Sequence, residues 1–183
     1  MEAVELEMSG LVLRPWGRGD ADLDAALRGF SDPEFRRWNT VLAPSPDLPG
    51  AQCWLASRGE KWESGESASW AITDPADGGR ILGNAEVGAI DYGFRTARIT
   101  YWLLPEARGR GAATHALLAI TRWAFATLRL HRLELGHAAA NDASCRVAQR
   151  GGYPAEGLLR GAMVSADGVT FQDVHLHARL ATD

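Results

Sequence analysis

Between Tyr101 and Phe125 the chain reads YWLLPEARGRGAATHALLAITRWAF: an apolar run stopped by Pro105, two arginines alternating with two glycines, then a long Ala- and Leu-rich segment. Few arrangements satisfy that order. In RTARITYWLL, Ile99, Tyr101 and Leu103 alternate with Thr100, Trp102 and Leu104, which is the period of a strand. From roughly Ala112 to Leu128 the period becomes helical, with Leu117, Ile120, Ala124 and Leu128 on one face. The chain must therefore pass from strand directly into helix, and glycine permits so tight a turn because it adopts positive φ freely. The first N–H groups of that helix lack internal acceptors and point forward, so the same turn is a candidate cradle for a phosphate.

The flanking segments fit an alternating α/β chain. LVLRPW (Leu11 to Trp16) is a strand ended by proline, and GDADLDAALRGF is a helix with Asp20 as N-cap and Leu23 and Leu27 on one face. The stretch from Ser31 to Pro49 carries several prolines and little periodicity, which predicts a loop or short helix. A second helix is expected from about Gln52 to Glu63. SASWAITDPADGGRILGNAEVGAID reads as two strands around an Asp-Gly-Gly turn. After the long helix come a strand in RLELGHAAAN, a helix in DASCRVAQRGGY closed by Gly151 and Gly152, and a last hairpin around Ala166-Asp167-Gly168. The expected fold is mixed α/β, with about seven strands in one sheet and helices on both faces.

At 183 residues the chain is long enough for one well-buried core and short for two, so one domain over 1–183 is expected. Hydrophobic residues at 46% and charged residues at 23% are the make-up of a globular protein, not of a disordered or membrane-spanning one. The net charge of -4 gives no basic footprint for nucleic acid. The acidic start MEAVELEMSG has no basic and apolar leader pattern, and no apolar run is long enough to span a bilayer, so a cytoplasmic location without membrane attachment is expected. Cys53 and Cys145 form no CxxC pair and predict neither a disulfide nor a zinc site. His175 and His177 lie two apart and share a strand face, yet no third ligand is evident near them, so no metal is expected. A Rossmann dinucleotide site is excluded because the Gly-rich turn does not follow the first strand, and a phosphate-loop NTPase because no Gly-Lys-Ser/Thr triplet occurs.

In order along the chain, LVLRPW, ITYWLLPEARGRGAATHAL, NDASCRVAQRGGY and DGVTFQD resemble the GNAT N-acetyltransferases, and within them the Rim-type branch that acetylates protein N-termini. The loop matches the family pattern Arg/Gln-x-x-Gly-x-Gly/Ala at Arg108, Gly111 and Ala113. The resemblance covers essentially the whole chain, and four motifs in sequence are far more specific than any one.

The resemblance implies acetyl-coenzyme A as cosubstrate. Its pyrophosphate would meet the N–H groups of Gly109, Arg110, Gly111, Ala112, Ala113 and Thr114, with Arg108 and Arg110 adding charge. Its pantetheine arm would lie where the sheet splays after the fourth of the strands read above, beside Trp102, Leu103 and Leu104, whose backbone would supply the oxyanion donor, and beside Asn141 at the end of the next strand. Many relatives carry a Tyr seven residues beyond that Asn to protonate the leaving thiolate. This chain has Ala148 there, and Ser144, one turn earlier, is the substitute implied by the Rim-type branch.

A general base would help the acceptor amine, and two residues compete: Glu86, a charged residue in an apolar strand, and His137, four residues before Asn141. On the acceptor side stand Asp32, Glu34 and Asp47 in the irregular stretch, Trp38 and Trp16 as aromatic surfaces, and Tyr101 and Glu86 on the strands. The acceptor is an amine, read first as a peptide or protein N-terminus. A small amine, amino acid or antibiotic is the alternative, and a silent acyl-coenzyme A-binding module the third reading. The branch often pairs through edge strands and its C-terminal hairpin, which implies a possible homodimer. Direct attack without a covalent enzyme intermediate is expected, because neither cysteine stands in a nucleophile setting.

Overall fold

The computed structural model describes residues 1–183. Eight strands form one sheet: β1 (Leu6–Met8), β2 (Leu11–Pro15), β3 (Ala68–Asp74), β4 (Arg80–Asp91), β5 (Thr96–Leu103), β6 (Arg132–Ala138), β7 (Ala155–Val164) and β8 (Phe171–Leu180), in the order β1-β2-β3-β4-β5-β6-β8-β7. The extra strand beyond the seven expected is β1, whose three residues are too few for an alternation to be visible; it pairs Leu6 with Leu13 through a turn at Ser9 and Gly10.

Five helices accompany the sheet: α1 (Asp20–Ser31), α2 (Pro33–Arg37), α3 (Leu48–Ser64), α4 (Ala112–Ala126) and α5 (Asp142–Arg150). Asp20 is not the N-cap of α1. Gly19 holds that position without a side-chain bond, and Asp22 instead reaches back to accept from the Gly17 N–H at 3.1 Å and from Arg14 at 2.8 Å. Asp32 and Asp47 cap α2 and α3 by accepting from Phe35 and Gly50 N–H groups at 2.9 and 2.7 Å.

Alternation along β5 decides which layer each residue joins. Ile99, Tyr101 and Leu103 face the core under α4, where Leu117, Ile120, Trp123 and Ala124 pack on Trp70, Leu133 and Leu135. Trp102 turns to the other face, where Trp16, Phe30, Phe35 and Leu55 form the second core with Leu104. Six of the seven tryptophans are used in this way. Trp62, Trp70 and Trp123 meet edge to face at 4.9–5.7 Å, while Trp16, Trp54 and Trp102 gather on the opposite side. Trp16 is therefore a core residue, with its Nε1 donating to Asn84 at 2.8 Å. The seventh, Trp38, stays outside both cores.

All strand pairs are antiparallel except β5 with β6. That parallel ladder lasts only from Thr96–Arg132 to Arg98–Glu134, although β5 continues to Leu103 and β6 to Ala138. Beyond Arg98 the two strands diverge and leave a wedge in the middle of the sheet.

Candidate active site

A cavity of about 350 Å³ opens beside that wedge. Its walls come from three places: the end of β5, the turn into α4, and the outer face of α5, with α2 closing one side. Turn and helix are joined as the sequence requires. Gly109 and Gly111 have φ of 75° and 84°, and no atom lies within 4 Å of a Cβ built on Gly109. Gly111 caps α4 without a side-chain acceptor, so the N–H groups of Ala112, Ala113 and Thr114 emerge unpaired at the cavity wall. Among the expected cofactor residues, Trp102, Leu103, Arg108, Gly109, Gly111, Ala112, Ala113, Thr114, Asn141 and Ser144 all border this space.

Leu104 and Arg110 do not. Leu104 is 1% exposed in the second core, and its N–H is already donated to Leu82 at 2.8 Å, so it cannot serve as an oxyanion donor. Arg110 points into solvent from the outside of the turn. Arg108 borders the cavity, but its guanidinium is engaged elsewhere, by the carboxylate of Asp32 and the carbonyl of Leu103 at 2.9 Å. It ties the turn to the start of α2 rather than standing free for a phosphate. Asp32 is correspondingly absent from the cavity wall, held by Arg108 and by its own cap.

Asn141 caps α5, with Oδ1 accepting from the Ser144 N–H at 3.1 Å. This places the Ser144 hydroxyl at the cavity wall, close to Tyr101. Burial pushes the Tyr101 phenol up to about 12, and the neighbouring Ser144 hydroxyl opposes that rise without reaching a hydrogen bond of normal geometry. Ser144 and Tyr101 thus stand together at the cavity wall, in a sequence that has no Tyr at position 148. Ala148 itself is fully buried in the core beside α4 and takes no part in the wall.

Neither competitor for general base borders the cavity. Glu86 is ion-paired with Arg58 at 2.9 Å and accepts from the Ser69 hydroxyl at 3.1 Å, beneath α3. His137 is buried on β6, where its Nδ1 donates to the Ala138 carbonyl at 2.9 Å. Burial, with His177 and His175 nearby, holds its pKa below the ordinary value. The carboxylate that does line the cavity is Glu34, which accepts from Trp38 Nε1 at 2.6 Å. Trp38 and Tyr101 border the space as expected on the acceptor side.

The sequence reading missed Phe35, Asn39, Ala143, Arg146, Val147 and Arg150, all of which border the cavity. For α5 the signal was present. With Ser144 assigned to the cavity, helical spacing carries the same face on to Val147 and Arg150. The charges are divided: Arg146 and Arg150 stand on α5, and Glu34 on α2 is the one acid of the wall.

Comparisons with known proteins bear on the family and the fold. Residues 10–154 match the acetyltransferase (GNAT) domain. YjcK of Bacillus subtilis (strain 168), a probable N-acetyltransferase, is 28% identical over 152 residues, covering 82% of this chain and 83% of the relative. Among solved structures, RimJ of Mycobacterium smegmatis in complex with CoA-disulfide superposes with a TM-score of 0.84 at 24% identity, over 98% of this chain and 87% of that one. The microcin C7 self-immunity acetyltransferase MccE, in complex with acetyl-CoA and AMP, gives 0.80 at 19% identity, over 94% and 93% of the two chains. At such identities the superpositions establish the fold, whereas the domain match extends over most of the sequence. The chain belongs to the GNAT acetyltransferase family.

Proposed function

We propose that this acetyltransferase is a single domain that uses acetyl-coenzyme A to acetylate a primary amine, and that the preferred acceptor is the α-amine of a peptide or protein N-terminus. The observation that carries the reading is the wedge between β5 and β6, bordered at one end by unpaired helix N–H groups and on another side by Glu34. The residues present suit the cosubstrate. The N–H groups of Ala112, Ala113 and Thr114 would hold its pyrophosphate, helped by the positive end of α4 and by Arg146 and Arg150.

Acetyl-coenzyme A supplies the thioester whose acetyl group is transferred. Glu34 attracts the acceptor's ammonium group, which must lose a proton to water before its nitrogen can attack. An N-terminal amine with a pKa near 8 loses that proton far more readily at neutral pH than a lysine near 10.4. As the new C–N bond forms and the C–S bond breaks, the hydroxyls of Ser144 and Tyr101 donate to the departing sulfur. Attack is direct, since Cys53 and Cys145 are both absent from the cavity wall.

Thiol release from acetyl-coenzyme A, measured with N-terminal peptides and small amines beside a calorimetric titration of the cosubstrate, tests the proposal. Turnover is expected with peptides, and Ser144→Ala should lower kcat with little change in KM. Turnover confined to small amines would move the acceptor assignment to that class. Binding without turnover on any amine would sink the catalytic reading.

A further inference from the structure

Where α5 meets the β6–β8 pair, the fold assembles residues that the sequence holds apart. Antiparallel pairing sets His137 on β6 directly opposite His175 on β8, and His177 follows two residues later on the same face. Cys145, in the first turns of α5, completes the group. One ring nitrogen of each histidine and the Cys145 sulfur all lie within 4.8 Å of one another. The imidazole centroids are 5.2–6.4 Å apart.

The hydrogen bonding of the two innermost histidines is incomplete in one specific way. His137 is 7% exposed and His177 fully buried, and each commits Nδ1 to a backbone carbonyl, of Ala138 at 2.9 Å and of Tyr153 at 3.0 Å. Those bonds select the tautomer in which Nε2 carries a lone pair. In both residues Nε2 is buried with no partner. A buried acceptor left empty is costly, and evolution of a packed core ordinarily removes it. A ligating histidine shows this same pattern, with one nitrogen fixed by a carbonyl and the other free for an ion.

The geometry points to a site for a divalent zinc ion, held by His137, His175, His177 and Cys145, that fastens α5 to the β6–β8 pair. Three imidazoles and one thiol, with no carboxylate, suit zinc and exclude calcium and magnesium, which take oxygen. Tetrahedral ligation at about 2.0–2.3 Å needs donors about 3.3–3.8 Å apart, so small side-chain rotations close the set. Four protein ligands leave no open position, which makes the ion structural. Its binding releases the Cys145 proton to solvent. Because Asn141 and Ser144 precede Cys145 on the same helix turn, the ion would hold that wall of the cavity in place. The assignment is independent of the acceptor amine.

The test uses tag-free protein stripped with EDTA and titrated with Co²⁺, with Zn²⁺ as competitor. Expected is uptake of one Co²⁺ with the intense visible bands of a tetrahedral ion and a near-ultraviolet sulfur-to-metal band, both abolished by Zn²⁺. Cys145→Ala should remove the sulfur band, and His175→Ala, at a half-buried position, should weaken uptake at least tenfold. Stoichiometric Zn²⁺ should raise the Tm of the native chain and leave that of the Cys145→Ala/His175→Ala double variant unchanged. Absence of uptake, or uptake with no sulfur band and no response to either variant, would overturn the site. Because neither variant touches the fully buried His177, both are expected to fold.

Discussion

Arg58 of α3 donates to the carboxylate of Glu86 on β4 at 2.9 Å, and the two side chains are 8% and 17% exposed. Arg58 also lies 4.7 Å over the Trp54 ring, and Glu86 also accepts from Ser69. The pair fastens a helix to the sheet on the side away from α4.

Removing one partner of a buried ion pair leaves the other charge uncompensated, at a cost of about 3–5 kcal/mol. Arg58→Ala should therefore shift the urea midpoint strongly, and Glu86→Gln less so because the amide can still accept from Ser69. Both variants should retain kcat at temperatures where they are folded. A Glu86→Gln enzyme of normal stability with turnover down a hundredfold would restore Glu86 as general base.

Tyr101 and Tyr153 are both pushed up to about 12 by burial, and Tyr153 shares a 2.6 Å hydrogen bond with Thr121. An unfolded tyrosine titrates near 10. Since the folded values are higher, the stability these groups contribute is fully present below pH 10 and is lost as pH rises from about 10 towards 12. Phenolate absorbance at increasing pH should show two tyrosines ionising only together with alkaline unfolding. Independent titration of all three tyrosines in a folded protein would contradict it. Tyr153→Phe, which leaves Thr121 with its bond to Leu117, should cost about 1 kcal/mol.

A Cβ on Gly83 would sit 2.1 Å from the Trp102 carbonyl and 2.8 Å from the Leu103 Cα. Both belong to the stretch of β5 that borders the cavity. Neither backbone atom can yield without moving the wall, so Gly83→Ala should destabilise by about 1–3 kcal/mol. A displacement of the wall by an ångström can cost about 10²-fold in rate. The check is kcat/KM beside thermal melting; a variant with normal activity would show that the β4–β5 contact does not set the site.

Arg146 and Arg150 have no ion-pair partner within 4 Å, and both border the cavity. Replacing either with Ala should raise KM for acetyl-coenzyme A about three- to fivefold, the scale of a solvent-screened charge interaction, with kcat unchanged. The effect should shrink as salt is added. Arg108→Ala should behave differently, lowering stability through the loss of its bond to Asp32.

Local periodicity and turn chemistry were enough to read the order of elements from β2 to β8, the strand-to-helix turn at Gly109 and Gly111, and the helix that Asn141 begins. Each of these depends on residues a few positions apart, which is the range over which dihedral preference and side-chain spacing act. The short β1 escaped because three residues carry no period, and the cap of α1 because Gly19, which has no side chain to signal it, holds that position instead of Asp20.

The partners of charged side chains depended on contacts between distant parts of the chain. Asp32 and Arg108 are 76 residues apart, and Arg58 and Glu86 are 28 apart; each pair removes from the cavity a group that looked available in the sequence. His137 likewise reads as a possible base until β8 sets His175 against it and α5 brings in Cys145. Sequence alone determined which segments are strands, turns and helices and which family pattern they carry. Tertiary structure decided which acids and histidines face the cavity, because a buried charge without a partner is costly, and the partner it finds is chosen by the packing of the whole sheet.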